Sequence, residues 1–148
     1  MKRIFLKMFF LLGSVIILFS CRPDNIDDVY PVIDMTAPNS FPQNCDTIYR
    51  GETFTFVAEF SDNQELGAFS IDIHNNFDHH SHSTEVSNCD MGAMKEPTED
   101  VFLYINSWEI PEGLQKYQAN ISIPVPEAAD TGDYHFFIAL TDREGWQS

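Results

Sequence analysis

Short runs of alternating apolar and polar residues dominate the chain from Tyr30 onward, and no long stretch carries a helical apolar period. Thr53 to Phe60 places Phe54, Phe56, Ala58 and Phe60 on one face, with Thr53, Thr55 and Glu59 opposite. Ala68 to His74 sets Phe69, Ile71 and Ile73 against Ser70, Asp72 and His74, and Tyr117 to Ile123 sets Tyr117, Ala119, Ile121 and Ile123 against Gln118, Asn120 and Ser122. Tyr134 to Leu140 repeats the pattern with Tyr134, Phe136, Ile138 and Leu140. Successive strand side chains point to opposite faces, so each run predicts a half-buried antiparallel strand. Val101 to Ile110 is strand-like with apolar residues on both faces, and a strand around Tyr30 to Met35 brings the total to about six.

Asp62-Asn63 with Gly67, and Pro124 to Gly132, supply turns. The segment Asp130-Thr131-Gly132-Asp133-Tyr134-His135-Phe136 has the form of the tyrosine corner that opens one strand of immunoglobulin-like domains. The expected fold is therefore all-β, an immunoglobulin-like antiparallel β-sandwich over residues 30–148, with an inserted loop around 75–99. Thr141 to Trp146 reads as a turn that launches another strand, yet the sequence stops at Ser148. A sandwich without its last strand leaves an edge bare for pairing. A truncated sequence, a strand supplied in trans and a smaller sheet closed by the N-terminal segment all account for this, truncation being the simplest.

Residues 1–20 predict a secretion signal. Lys2, Arg3 and Lys7 precede an apolar run from Met8 to Phe19 that is too short for a settled transmembrane span. The run ends in Leu18-Phe19-Ser20-Cys21, which is similar to the bacterial lipobox and implies acylation of Cys21. Residues 21–29, polar and acidic, then form a lipidated tether. The protein is expected at the outer membrane or cell surface, held through its lipid. With Cys21 so assigned, Cys45 and Cys89 remain, and an oxidising compartment favours a disulfide between them.

Charge narrows the partners. The 148 residues carry 23 Asp+Glu against 8 Lys+Arg, a formal net charge of −15. Such a surface repels phosphate backbones and attracts cations, so nucleic acid is excluded as a partner. At 43% hydrophobic and 14% aromatic the chain still has the apolar surface that a disordered acidic tail lacks.

The candidate chemistry is histidine. Four of the five histidines, His74, His79, His80 and His82, fall within nine residues, and His135 lies far away. Neutral imidazole binds zinc, copper or nickel, and three or four together make a site. Strand parity turns His74 and His135 outward, and the two strands are neighbours in the expected fold, so both project from one surface. The i, i+2 spacing of His80 and His82 puts both on one side of a loop folding back over them. The expected ligands are His74, His80, His82 and His135, with Asp78 as a fifth ligand or as an acceptor orienting an imidazole. His79 faces away. Zinc is the default metal, and Met91, Met94 and Cys89 lend copper some support as soft groups.

At these residues the chain resembles a family of Bacteroidetes lipoproteins catalogued as domain of unknown function 4625. The resemblance runs from Pro31 to the C-terminus, on Phe60-Ser61-Asp62-Asn63 with Leu66-Gly67, on Ile71-Asp72-Ile73-His74-Asn75-Asn76-Phe77-Asp78 with His80 and His82, and on Thr131 to Phe136. It implies an immunoglobulin-like domain, lipid anchoring and the histidine positions, and no reaction. A lipid-anchored metal-binding protein is the leading expectation. An adhesion module for an envelope protein or a glycan, using exposed Trp108 and Trp146, is the alternative. A metalloenzyme with Asp72, Asp78 or Glu85 as base is the minor one, since no nucleophile motif or phosphate-cradling loop is present.

Overall fold

The structure, a computed structural model, describes residues 26–82 and 89–148. The signal segment, Cys21 and Glu85 lie outside the described residues. Among the described residues there are six strands and no helix: β1 (Val32–Asp34), β2 (Thr53–Ser61), β3 (Leu66–Asn75), β4 (Tyr104–Glu109), β5 (Lys116–Pro124) and β6 (Tyr134–Asp142). They form two antiparallel three-stranded sheets, ordered β1-β2-β5 and β4-β3-β6. Each alternating run of the sequence becomes a strand because only the sandwich buries one face of every run.

Phe56, Ala58 and Phe60 of β2, Phe69, Ile71 and Ile73 of β3, Ala119 and Ile123 of β5 and Leu140 of β6 make the core. Aromatic pairs join the sheets across it. Phe56 stacks on Phe136 at 5.6 Å between ring centroids, and Phe60 meets Phe69 at 5.1 Å. Each such side chain contributes roughly 1.5–3 kcal/mol through burial.

Three details refine the expected picture. The strand anticipated over Val101 to Ile110 begins only at Tyr104; Phe102 ahead of it packs on the core while its N–H donates to the Tyr134 hydroxyl at 3.3 Å. That hydroxyl donates in turn to the Asp130 carbonyl at 2.8 Å, the contact a tyrosine corner makes, and burial pushes the phenol pKa up. The edge of β6 is not wholly bare. Residues 146–148 turn back along it, with Thr141 bridged to Gln147 and reciprocal backbone bonds between Leu140 and Ser148. Nor are the tryptophans free platforms: Trp108 stacks on Phe69 at 5.0 Å, and Trp146 donates its indole N–H to the Asp27 carbonyl at 2.7 Å.

Cys45 and Cys89 form a disulfide with their Cα atoms 5.4 Å apart. It ties the segment ahead of β2 to the insertion that follows the histidine loop. For a sequence separation of 44 residues the chain-entropy model gives about 4 kcal/mol of stabilisation. We expect a Cys45→Ala/Cys89→Ala variant to lose roughly that amount in urea unfolding. Tyr134→Phe should lose about 1–2 kcal/mol, since it strands the Asp130 carbonyl and the Phe102 N–H. Because the folded phenol is raised, its contribution is full below the ordinary tyrosine pKa of ~10 and fades as pH rises through the folded value.

Candidate metal centre

The site is set by the pairing of β3 with β6. Ile71 faces Ile138, Ile73 faces Phe136, and His74 faces His135 directly across the ladder. Ile73 and Phe136 point into the core, so the adjacent His74 and His135 point out. Two imidazoles 61 positions apart in sequence thus share one patch of outer surface, with ring centroids 5.4 Å apart.

A turn brings the others back. After β3, the Asn76 N–H donates to the Asp133 carbonyl at 2.8 Å, and Phe77 is buried with its ring edge-on to Tyr134 at 5.3 Å. The His79 N–H closes a tight turn onto the Asn76 carbonyl at 3.1 Å, and His79 itself takes a left-handed φ of 56°. This reverses the chain so that His80 and His82 lie over the His74–His135 pair. Their rings stand 5.8 and 5.4 Å from His74, and 5.0 and 4.7 Å from His135. His79 points elsewhere, with its Nε2 3.4 Å from the Asp133 carboxylate.

Gly132 is required for this packing. Its φ is +145°, and an added Cβ would stand 2.7 Å from Phe77 Cε1. The insertion beyond the histidines braces the same turn, since the Gly92 N–H donates to Asp133 at 3.0 Å and the Lys95 ammonium lies 4.2 Å over the Phe77 ring.

A carboxylate engages one nitrogen of His74 and one of His80. His74 Nδ1 lies 2.9 Å from Asp72 Oδ1, and His80 Nδ1 lies 2.5 Å from Asp78 Oδ1. The hydrogen bond from His80 holds the Asp78 carboxyl below its ordinary pKa. A carboxylate on Nδ1 fixes the ring and leaves Nε2 as the basic nitrogen. His74 Nε2 then faces His82 Nε2 at 3.4 Å. Two nitrogens bound tetrahedrally to one zinc at ~2.0–2.1 Å stand about 3.3–3.4 Å apart. His74, His80 and His82 each bring one ring nitrogen within 4.8 Å of the other two, so this group could hold a metal ion.

The remaining expected ligands take other places. His135 sits in the cluster, but its Nε2 donates to the His80 carbonyl at 3.1 Å and so holds the returning loop. Asp78 stands behind His80 as the acceptor on its Nδ1. Asp72 plays the same part for His74, a role the alternation did hint at by placing the two on one face. Phe137 was missed. It lies on the outward face of β6, parallel to His74 at 5.8 Å and edge-on to His82 at 4.6 Å, covering one side of the cluster. A large aromatic in the polar phase of a strand was the available signal. Cys89, in its disulfide, offers no thiolate, and the Met91 sulfur accepts from Asn76 at 3.8 Å.

Comparison with known proteins gives one positive result. The model of a family described as a domain of unknown function, DUF4625, matches residues 19–148, and the chain belongs to that family. No curated protein and no solved structure matches it.

Gly132→Ala should destabilise the domain by about 1–3 kcal/mol, the usual cost of overpacking. We expect amide exchange to rise first at residues 76–82, because Phe77 must shift. Uniform loosening of both sheets would show instead that the turn and the core are one unit.

Proposed function

We propose that this is a lipid-anchored cell-envelope protein whose β-sandwich binds a transition metal, zinc by its chemistry, for capture or delivery. The observation that carries the reading is the approach of His74 Nε2 to His82 Nε2 at 3.4 Å, with carboxylates on the far nitrogens of His74 and His80. Two imidazole lone pairs repel at that distance unless a proton or a metal lies between them. Neutral nitrogen donors suit zinc, and with Cys89 oxidised the thiolate that would favour copper(I) is withdrawn.

In this reading His74, His80 and His82 are the ligands and His135 positions the loop. Three protein ligands leave a fourth position through which a metal can be exchanged. The acidic surface raises the local concentration of cations around the site. Asp72 and Asp78 serve as acceptors for the imidazoles rather than as bases, so a binding protein is favoured over a hydrolase. Acylation at Cys21 would hold the domain at the membrane on a short acidic tether.

The test is metal content by mass spectrometry after loading the purified full chain with zinc and desalting. We expect about one zinc per chain, lost in His74→Ala/His82→Ala and kept, more weakly, in His135→Ala. No zinc in the parent chain, or zinc retained in the double variant, would contradict the reading. For the anchor, we expect labelled palmitate to enter the parent chain and not Cys21→Ala, with the variant moving from the membrane fraction to the soluble one.

A further inference from the structure

The opposite end of the β3–β6 ladder holds a second convergence of different chemistry. Leu66 pairs with Asp142 there, eight residues along β3 from His74, or about 26 Å at strand rise. Asp142 lies on the inward phase of β6 and is only 4% exposed. Gly67 makes room beside it: a Cβ at that position would stand 2.6 Å from the Asp142 carbonyl oxygen, where β3 bulges. Asp62, just past β2, and Asp27, ahead of β1 and 4% exposed, converge on the same point. Each of the three brings a carboxylate oxygen within 4.8 Å of the other two.

In every case one oxygen is used locally and the other is not. Asp27 Oδ1 accepts from the Val29 N–H and the Asn63 side-chain amide, both at 3.1 Å. Asp62 Oδ2 accepts from the N–H groups of Gln64 and Glu65 at 2.7 and 2.8 Å, and Asp142 Oδ1 from those of Gly145 and Trp146 at 2.6 and 2.8 Å. Asp27 Oδ2, Asp62 Oδ1 and Asp142 Oδ2 are buried and have no hydrogen-bond partner among the described residues. A buried carboxylate oxygen without a donor is costly, and three in one place cost more through mutual repulsion. Arg143 does not relieve them, because its guanidinium pairs with Glu65 at 3.3 Å.

A hard divalent cation satisfies all three at once. We propose that Asp27, Asp62 and Asp142 form a calcium site that clamps the segment ahead of β1 onto the end of the sandwich. Calcium takes six to eight oxygens at ~2.3–2.6 Å, so oxygens on opposite sides of one ion stand up to about 5 Å apart. Carboxylates from three separate chain segments make an irregular set, which calcium tolerates and magnesium, with its strict octahedron, does not. An all-oxygen set also disfavours zinc. The clamp bears on Asp27, six residues after Cys21, so it would orient the domain relative to its anchor.

The test uses the purified full chain, stripped with EDTA. Calcium titration by calorimetry should show one saturable site with a dissociation constant of order 10⁻⁴–10⁻³ M, the range of extracellular modules. Terbium provides a readout independent of stability, since the Trp146 backbone and indole N–H groups bond to Asp142 and Asp27. We expect terbium luminescence on tryptophan excitation, displaced by calcium and not by equal magnesium. Asp62→Asn keeps an acceptor oxygen for its turn and should weaken calcium at least tenfold with the fold retained by circular dichroism. Asp27→Asn should do the same. Absence of saturable calcium heat at 10 mM, equal displacement by magnesium, or an unchanged affinity in both variants would each overturn the assignment.

Discussion

The register of β3 against β6 is the constraint on which the rest depends. With Ile73 opposite Phe136, the core face is dry and the outward face must begin with His74 opposite His135. A slip of β6 by one residue would turn His135 inward and Phe136 outward while β3 kept its faces, losing apolar burial and stranding polar nitrogens inside. The core therefore enforces the approach of the two histidines. The returning loop is a secondary device, since its turn is fastened to Asp133 and, through Phe77, to Tyr134, both at that same end of the ladder.

The two ends of this ladder divide the chemistry of the molecule. At the His74 end, nitrogen donors lie on the outer surface, partly shielded, with the His74 side chain 24% exposed and the His80 side chain 38%. Such a location suits a metal that arrives and leaves. At the Leu66 end, oxygen donors point inward and are nearly closed off, which suits an ion that holds segments together. On the two proposals above, hard and borderline donor preferences would keep the two ions separate.

Much of this arrangement was legible from residue order alone. Period-two alternation located β2, β3, β5 and β6, because each has one face on the core and one toward solvent, while β1 and β4 were legible only as short strand-like runs. The same parity put His74 and His135 on one surface before any pairing was known. Less was readable where side chains act through loops. Phe137 occupies a polar phase, to which alternation alone assigns no role. Asp27 looked like part of a solvated tether, since nothing local says that a residue ahead of the first strand is buried against Asp142. His135 enters the cluster as parity implied, while its Nε2 goes to a backbone carbonyl, a partner that residue identities do not encode.

The most exposed proposal is metal coordination at the histidine cluster. X-ray absorption at the zinc edge of the loaded full chain tests it. The prediction is a first shell at ~2.0 Å made of nitrogen and oxygen only, with the outer-shell scattering of three imidazoles. A sulfur shell near 2.3 Å, or scattering from fewer than two imidazoles, would contradict the claim that the β3–β6 register and the returning loop build a common site.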